Sequence, residues 1–142
     1  MKTLGRVLDA KGHEVFSIGP DDSVFEALQA MAEHSVGALI VLEHGDVVGI
    51  FSERDYARQV ALAGKSSRET PVGEIMTSRV VCGRPELSLE ECLALMTDKR
   101  IRHLPVLQDD ELIGVVSIGD LVKGIIDEQR FMISQLESYV SG

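Results

Sequence analysis

Two hydrophobic periods alternate along the chain, and the whole alternation occurs twice. Val24, Ala27, Leu28 and Met31 stand at i, i+3, i+4 and i+7, the spacing that lays one apolar stripe along a helix. They predict a helix from Ser23 to about His34. Ser23 with Glu26 three residues on has the form of a capping box, entered through the turn Pro20-Asp21-Asp22. Val15 to Ile18 reads as a short strand before it. Ala38 to Leu42 is a continuous apolar strand, Glu43-His44-Gly45-Asp46 a turn, and Val47 to Phe51 a second buried strand. Ser52 then caps a helix that runs to about Ala63 and ends at Gly64. The same order follows with a strand near Val80 and Val81, a helix from Ser88 to Arg100, a strand from Leu104 to Leu107, a turn over 108–111, a strand from Leu112 to Val116 and a helix from Ser117. The first ten residues predict a short helix through Leu4, Val7 and Leu8.

The two halves superpose at a constant offset of 65 residues without a gap. Ser23 falls on Ser88, Glu26 on Glu91, Met31 on Met96, Leu39 on Leu104, Gly49 on Gly114, Ser52 on Ser117 and Asp55 on Asp120. Two copies are too few for a solenoid, so the expected fold is α+β, two β-α-β-β-α repeats packed about a pseudo-two-fold with clefts between the copies. The expected segments are a lead-in over 1–14, repeat 1 over 15–64, a linker over 65–75 broken by Pro71, repeat 2 over 76–127 and a helical extension over 128–142. In that extension Met132, Ile133, Leu136 and Val140 continue the helical spacing of Ile118, Leu121, Val122 and Ile125. Such a helix either packs back on its own domain or pairs with another chain.

Composition narrows the class. No apolar run approaches the roughly 20 residues of a membrane span, and the N-terminus lacks the apolar core of a signal peptide. Cys82 and Cys92 form no CxxC pair and suggest no disulfide framework, so a reduced, cytoplasmic setting is expected. The net charge of −9 is spread over both halves with no basic patch. That argues against nucleic acid or an anionic membrane as partner. His13, His34, His44 and His103 lack metal-ligand spacing, so no metal is expected. Gly64-Lys65-Ser66 resembles the end of a P-loop, but Gln59 stands where the first glycine is needed. No Ser/His/Asp or Cys/His set is apparent, and the chain reads as a non-catalytic protein.

The candidate chemistry lies in Gly49-Ile-Phe-Ser-Glu-Arg-Asp55 and Gly114-Val-Val-Ser-Ile-Gly-Asp120. Each sets a serine and an aspartate three apart where a strand enters a helix. The helix N-terminus and the hydroxyl suit a phosphate, and a carboxylate one turn on can accept both hydroxyls of a ribose. Singly, S-x-x-D is an everyday capping box. Its recurrence in register in both copies points to binding.

These segments, with Arg102-His-Leu-Pro-Val-Leu107, the helices EALQAMAEH and ECLALMTDK and the lead-in Glu74-Ile-Met-Thr77, resemble a tandem pair of cystathionine-β-synthase (CBS) domains. The likeness covers roughly residues 3–127 and is closest to stand-alone bacterial-type CBS proteins. It implies a regulatory or sensor module that binds adenosine-containing ligands, AMP and/or NAD first, with ADP, ATP and S-adenosylmethionine as alternatives. It also implies a homodimeric disc whose effector is a separate protein. One cleft would use Ser52, Arg54 and Asp55 facing Ile101, Arg102 and His103. The other would use Ser117, Gly119 and Asp120 facing Val36, Gly37 and Ala38, with Arg102 and His103 reaching it as well. Ile18 and the region of Cys82 and Gly83 would touch the bases, although Cys82-Gly83-Arg84 departs from the family's usual lead-in. Arg54 against Gly119 implies that the two sites differ in ligand. The alternative is a structural protein-interaction module without bound nucleotide.

Overall fold

The computed structural model describes residues 2–141, so Met1 and Gly142, the outermost positions of the expected lead-in and extension, lie outside it. The chain forms two compact units. One is Val15–Val81, and the other joins the N-terminal residues to Glu14 with Cys82 onward.

In the 15–81 unit, β1 (Ser17–Ile18) pairs parallel to β2 (Ala38–Glu43), which pairs antiparallel to β3 (Asp46–Ser52). Between β1 and β2 runs α2 (Val24–His34), capped by Ser23, whose side chain accepts from the Glu26 N–H. The β2–β3 turn places His44 at φ 53° and Gly45 at φ 84°, the left-handed pair that matches the twist of a two-residue hairpin. After β3 come α3 (Glu53–Tyr56) and a π-helical turn over Ala57–Ala61. The predicted helix to Ala63 therefore widens after one turn. Its bonds there, from Leu62 N to Ala57 O and from Lys65 N to Val60 O, both 3.0 Å, span five residues, and Val60 is buried. Next comes α4 (Val72–Ile75).

The second unit holds α1 (Leu4–Lys11), α5 (Leu89–Lys99), the antiparallel pair β4 (His103–Gln108) and β5 (Glu111–Ser117), and α6 (Ile118–Ser141). No strand forms over Val80 and Val81. Only Gly83 bridges to Val106, through bonds from its N–H to Pro105 O and from Leu107 N to its carbonyl. Pro85, two residues on, has no N–H with which to extend the ladder. The β4–β5 turn uses Asp109 and Asp110, both at positive φ, which aspartate tolerates better than most residues.

Core positions repeat with the sequence offset. Val24 and Leu89, Ala27 and Cys92, Met31 and Met96, Leu39 and Leu104, Val41 and Val106, and Phe51 and Val116 are all buried. Burial, then the Glu91 charge, pushes the Cys92 thiol up to about 11, and both cysteines are free.

The units are not the contiguous segments that the repeat boundaries suggest. Residues 65–81 pack with the first repeat, and residues 2–14 pack with the second. Both lead-in helices dock by the same backbone pattern. Gly73 N donates to Pro20 O (2.8 Å), Val72 N to Asp22 O (2.8 Å), and Val24 N to Thr70 O (2.9 Å). In the other unit Gly5 N donates to Pro85 O (2.9 Å), Leu4 N to Leu87 O (2.9 Å), and Leu89 N to Lys2 O (3.2 Å). Val72 and Ile75 of α4, and Leu4, Val7 and Leu8 of α1, are then buried.

Each docked segment needs a glycine on the strand it covers. A Cβ at Gly49 would strike the Met76 side chain and lie 3.0 Å from the Thr77 carbonyl, and one at Gly114 would lie 2.6 Å from Leu8 Cδ2. Gly49→Val should therefore lower stability by about 1–3 kcal/mol, the cost of overpacking against backbone that cannot yield. Urea unfolding should show this as a lower midpoint, and an unchanged midpoint would mean that Met76 and Thr77 move aside freely.

Candidate functional site

Each repeat builds the same junction. β3 ends at Ser52 and β5 at Ser117, and the helices begin one residue later. At the first junction Ser52 N donates to Asp55 Oδ2 (3.0 Å), the Ser52 hydroxyl donates to the same oxygen (3.1 Å), and Asp55 N donates to Ser52 Oγ (3.2 Å). At the second, Ser117 N donates to Asp120 Oδ2 (2.8 Å) and Asp120 N to Ser117 Oγ (3.1 Å). The capping reading of S-x-x-D thus holds at both places. It does not consume the groups, because both serines and both aspartates are only half-buried.

Strand pairing brings a second segment to each junction. Ala38 pairs with Ser52, and Glu53 N donates to Gly37 O (3.0 Å). His103 pairs with Ser117, and Ile118 N donates to Arg102 O (3.0 Å). Val36, Gly37 and Ala38 therefore adjoin Ser52, Arg54 and Asp55, while Ile101, Arg102 and His103 adjoin Ser117, Gly119 and Asp120. Ile18 lies on β1, beside β2. None of these thirteen residues is in the core: Arg54, Arg102 and Gly119 are exposed and the others half-buried. A Cβ at Gly119 would meet only Ser117 Oγ, at 3.6 Å, so the second repeat leaves room for a side chain at the position Arg54 holds in the first.

Four residues at the junctions were not expected from sequence. Lys11, at the end of α1, donates from Nζ to Asp120 Oδ2 (2.6 Å) and to Val115 O (2.7 Å). Thr77 donates from its hydroxyl to Asp55 Oδ1 (3.4 Å), held by paired backbone bonds with Ile50. Ser35 sits at φ 53°, and Arg100, its counterpart at the repeat offset, at φ 55°. These left-handed helix ends turn the chain sharply into the 36–38 and 101–103 segments. Ser35 also lines a groove of about 570 Å³ in the 15–81 unit with Leu28, Met31, Val36, Glu53 and Tyr56.

The aspartates consequently differ in electrostatics. Partial burial raises the Asp120 pKa, but the Lys11 hydrogen bond, the Ser117 N–H and the Lys11 charge together outweigh it and hold the carboxyl below its ordinary value. His13, also past α1, lies 2.8 Å from Ile113 O and 3.2 Å from Asp9 Oδ1, and these bonds, the Ile113 one foremost, raise its pKa. Among the described residues no cluster of His, Cys, Asp and Glu could hold a metal ion. No helix among them is long and apolar enough to cross a membrane.

A repeated αβ unit with a capped serine and aspartate where its strand hairpin enters a helix defines the class, and comparison with known proteins gives the family. The CBS domain profile matches residues 9–62 and 72–127. The chain belongs to the CBS domain family. A solved CBS domain structure, NE2398, superposes with a TM-score of 0.85 at 50% identity, over 88% of this chain and 98% of that one. A Burkholderia ambifaria protein with CBS domains, described in terms of signal transduction, superposes with a TM-score of 0.87 at 46% identity, over 90% and 96%. The mitochondrial CBS domain-containing protein CBSX3 of Arabidopsis thaliana is 42% identical over 127 residues, 86% of this chain and 62% of the plant protein. The chain thus spans less than two thirds of that relative. CBS domain proteins are regulatory and signal-transduction modules, and CBS domains commonly bind adenosine-containing ligands.

The Lys11 contact has a measurable sign. A carboxyl whose folded pKa lies below its unfolded value of about 3.9 stabilises the fold above that pH, and the contribution is lost as pH falls through the folded value. Lys11→Met should move the Asp120 pKa upward, followed by carboxyl carbon NMR, and should flatten the decline of stability below about pH 4. An unshifted Asp120 titration would remove Lys11 from the site.

Proposed function

We propose that the chain is a sensor of adenine nucleotides, with AMP and/or NAD as ligand and ADP, ATP and S-adenosylmethionine as alternatives. The observation that carries this reading is the serine–aspartate pair at the same strand-to-helix junction of both repeats, solvent-reachable in each. Asp55 and Asp120 take the ribose hydroxyls, and Ser52 and Ser117 take phosphate oxygens. Arg54 at one site, and Arg102 and His103 at the other, supply positive charge against the chain's net −9. The apolar residues Ile18, Val36, Ala38 and Ile101 accept the base. The sites differ in strength or preference, because Arg54 has Gly119 as its counterpart and Asp55 meets a hydroxyl where Asp120 meets an ammonium group. The protein acts in the cytoplasm as a homodimer. Ligand shifts its conformation or assembly toward one that a separate effector protein distinguishes, which is the differential affinity that allostery requires.

A thermal-shift series with the five ligands tests this. A ligand at about 100 times its Kd adds about 2.7 kcal/mol to the folded state, a rise of several degrees for a chain of this size. Asp55→Asn and Asp120→Asn keep a capping acceptor while removing the charge, and each should weaken binding about tenfold or more at its own site by calorimetry. Two variants that bind like the parent would overturn the site assignment. No shift with any of the five ligands would overturn the nucleotide reading in favour of a protein-interaction module.

A further inference from the structure

The last helix leaves its core halfway along. Leu121 and Gly124 of α6 are buried, and a Cβ at Gly124 would meet Leu89 and Val7. The Lys2 N–H reaches Glu128 Oε2 at 3.1 Å. From Gln129 to Ser141 every residue is exposed. A helical stretch of this length is marginal in water alone, because helices in proteins owe most of their stability to a packed apolar face. This stretch has such a face, and it lies open. Val122, Ile126, Ile133, Leu136 and Val140 are 43%, 41%, 54%, 64% and 83% exposed.

With Gln129 these residues fall at alternating steps of four and three, the seam of a two-helix coiled coil. Ile126, Ile133 and Val140 hold one heptad position, and Val122, Gln129 and Leu136 the other. The flanks differ. Met132 and Tyr139, both exposed, edge one side of the seam, and Lys123, Arg130 and Glu137 edge the other.

We infer that this face of α6 binds the same helix of a second copy of the chain in antiparallel orientation. A two-fold interface must complement itself, and the flanks do so only when reversed. Antiparallel pairing sets apolar flank on apolar flank. On the charged side it brings Glu137 to Lys123 of the second copy, twice by symmetry, and sets Arg130 opposite its own copy across the axis, where the two long side chains splay into solvent. Parallel pairing would lay the charged flank against Met132 and Tyr139. In the antiparallel register Val122 meets Val140, Ile126 meets Leu136, and Gln129 stands near the centre, where one polar seam residue fixes alignment at a cost in stability. Seven apolar side chains supply on the order of 600 Å² per chain, most of the ~800 Å² that each partner contributes to a stable interface.

The test uses the full chain. Ile133→Asp with Leu136→Asp should halve the mass of the parent assembly in sedimentation equilibrium, while the near-UV signal of the folded units persists. An unchanged mass would overturn the interface. Orientation is read in a Cys82→Ser background by mixing Ile126→Cys chains with Leu136→Cys chains under mild oxidation. Mixed disulfides should dominate. Disulfides formed only between identical variants would overturn the antiparallel arrangement.

Discussion

Both units depend on the docking of a lead-in helix through three backbone hydrogen bonds. Neither repeat's sheet and main helix close a core alone. Val72 and Ile75 complete one, and Leu4, Val7 and Leu8 complete the other. The clamp works because the donors are first-turn N–H groups, which no helix satisfies internally; two of the acceptors are carbonyls of the turn ahead of α2 or α5, and the third is a carbonyl ahead of the lead-in helix, Thr70 or Lys2. It also requires close approach. Gly5 and Gly73 meet Pro85 and Pro20, where added side-chain atoms would crowd the proline, and Gly49 and Gly114 leave room on the strands for Met76 and Leu8.

This docking also shapes the two candidate sites. The lead-in segment that closes each core ends beside that unit's aspartate, so its next polar residue becomes a neighbour of the carboxylate. In one unit that residue is Thr77, and in the other it is Lys11. A hydroxyl leaves the Asp55 charge largely in place, whereas an ammonium at 2.6 Å compensates that of Asp120. The capping bonds inside each Ser–Asp pair hold both side chains in one orientation, the preorganisation that lowers the ordering cost of binding at a site of the proposed kind.

The C-terminal helix is shared between two roles by its own periodicity. Leu121 and Gly124 are spent on the second repeat, while from Val122 onward another face of the helix presents an apolar seam to solvent. A continuous helix carries both because α-helical geometry is indifferent to which face meets which partner.

The chain's two repeats, most of its helices and strands, its turns and its serine caps were all legible in the sequence. Each is set by interactions within a few residues: periodicity, a hydroxyl three residues before an N–H, a Gly or Asp at a left-handed position. The Ser52–Asp55 and Ser117–Asp120 pairs belong to this kind, whereas the expected grouping set residues 36–38 with Ser117–Asp120, and the hairpin register that lays them beside Ser52–Asp55 in their own repeat was not read. The failed strand at Val80 and Val81 could not be read, because a parallel bridge is decided by its distant partner at Val106. Nor could the crossing of the lead-in helices. Their likeness, Leu4-Gly5-Arg6-Val7 to Val72-Gly73-Glu74-Ile75, lies at an offset of 68 rather than 65 and so falls out of register with the main repeat. Lys11 and Asp120 stand 109 residues apart, and nothing local to either residue signals the other. Their meeting is fixed only when α1 docks on the second repeat, because the energy of that docking comes from buried surface that exists in the folded unit and nowhere along the chain.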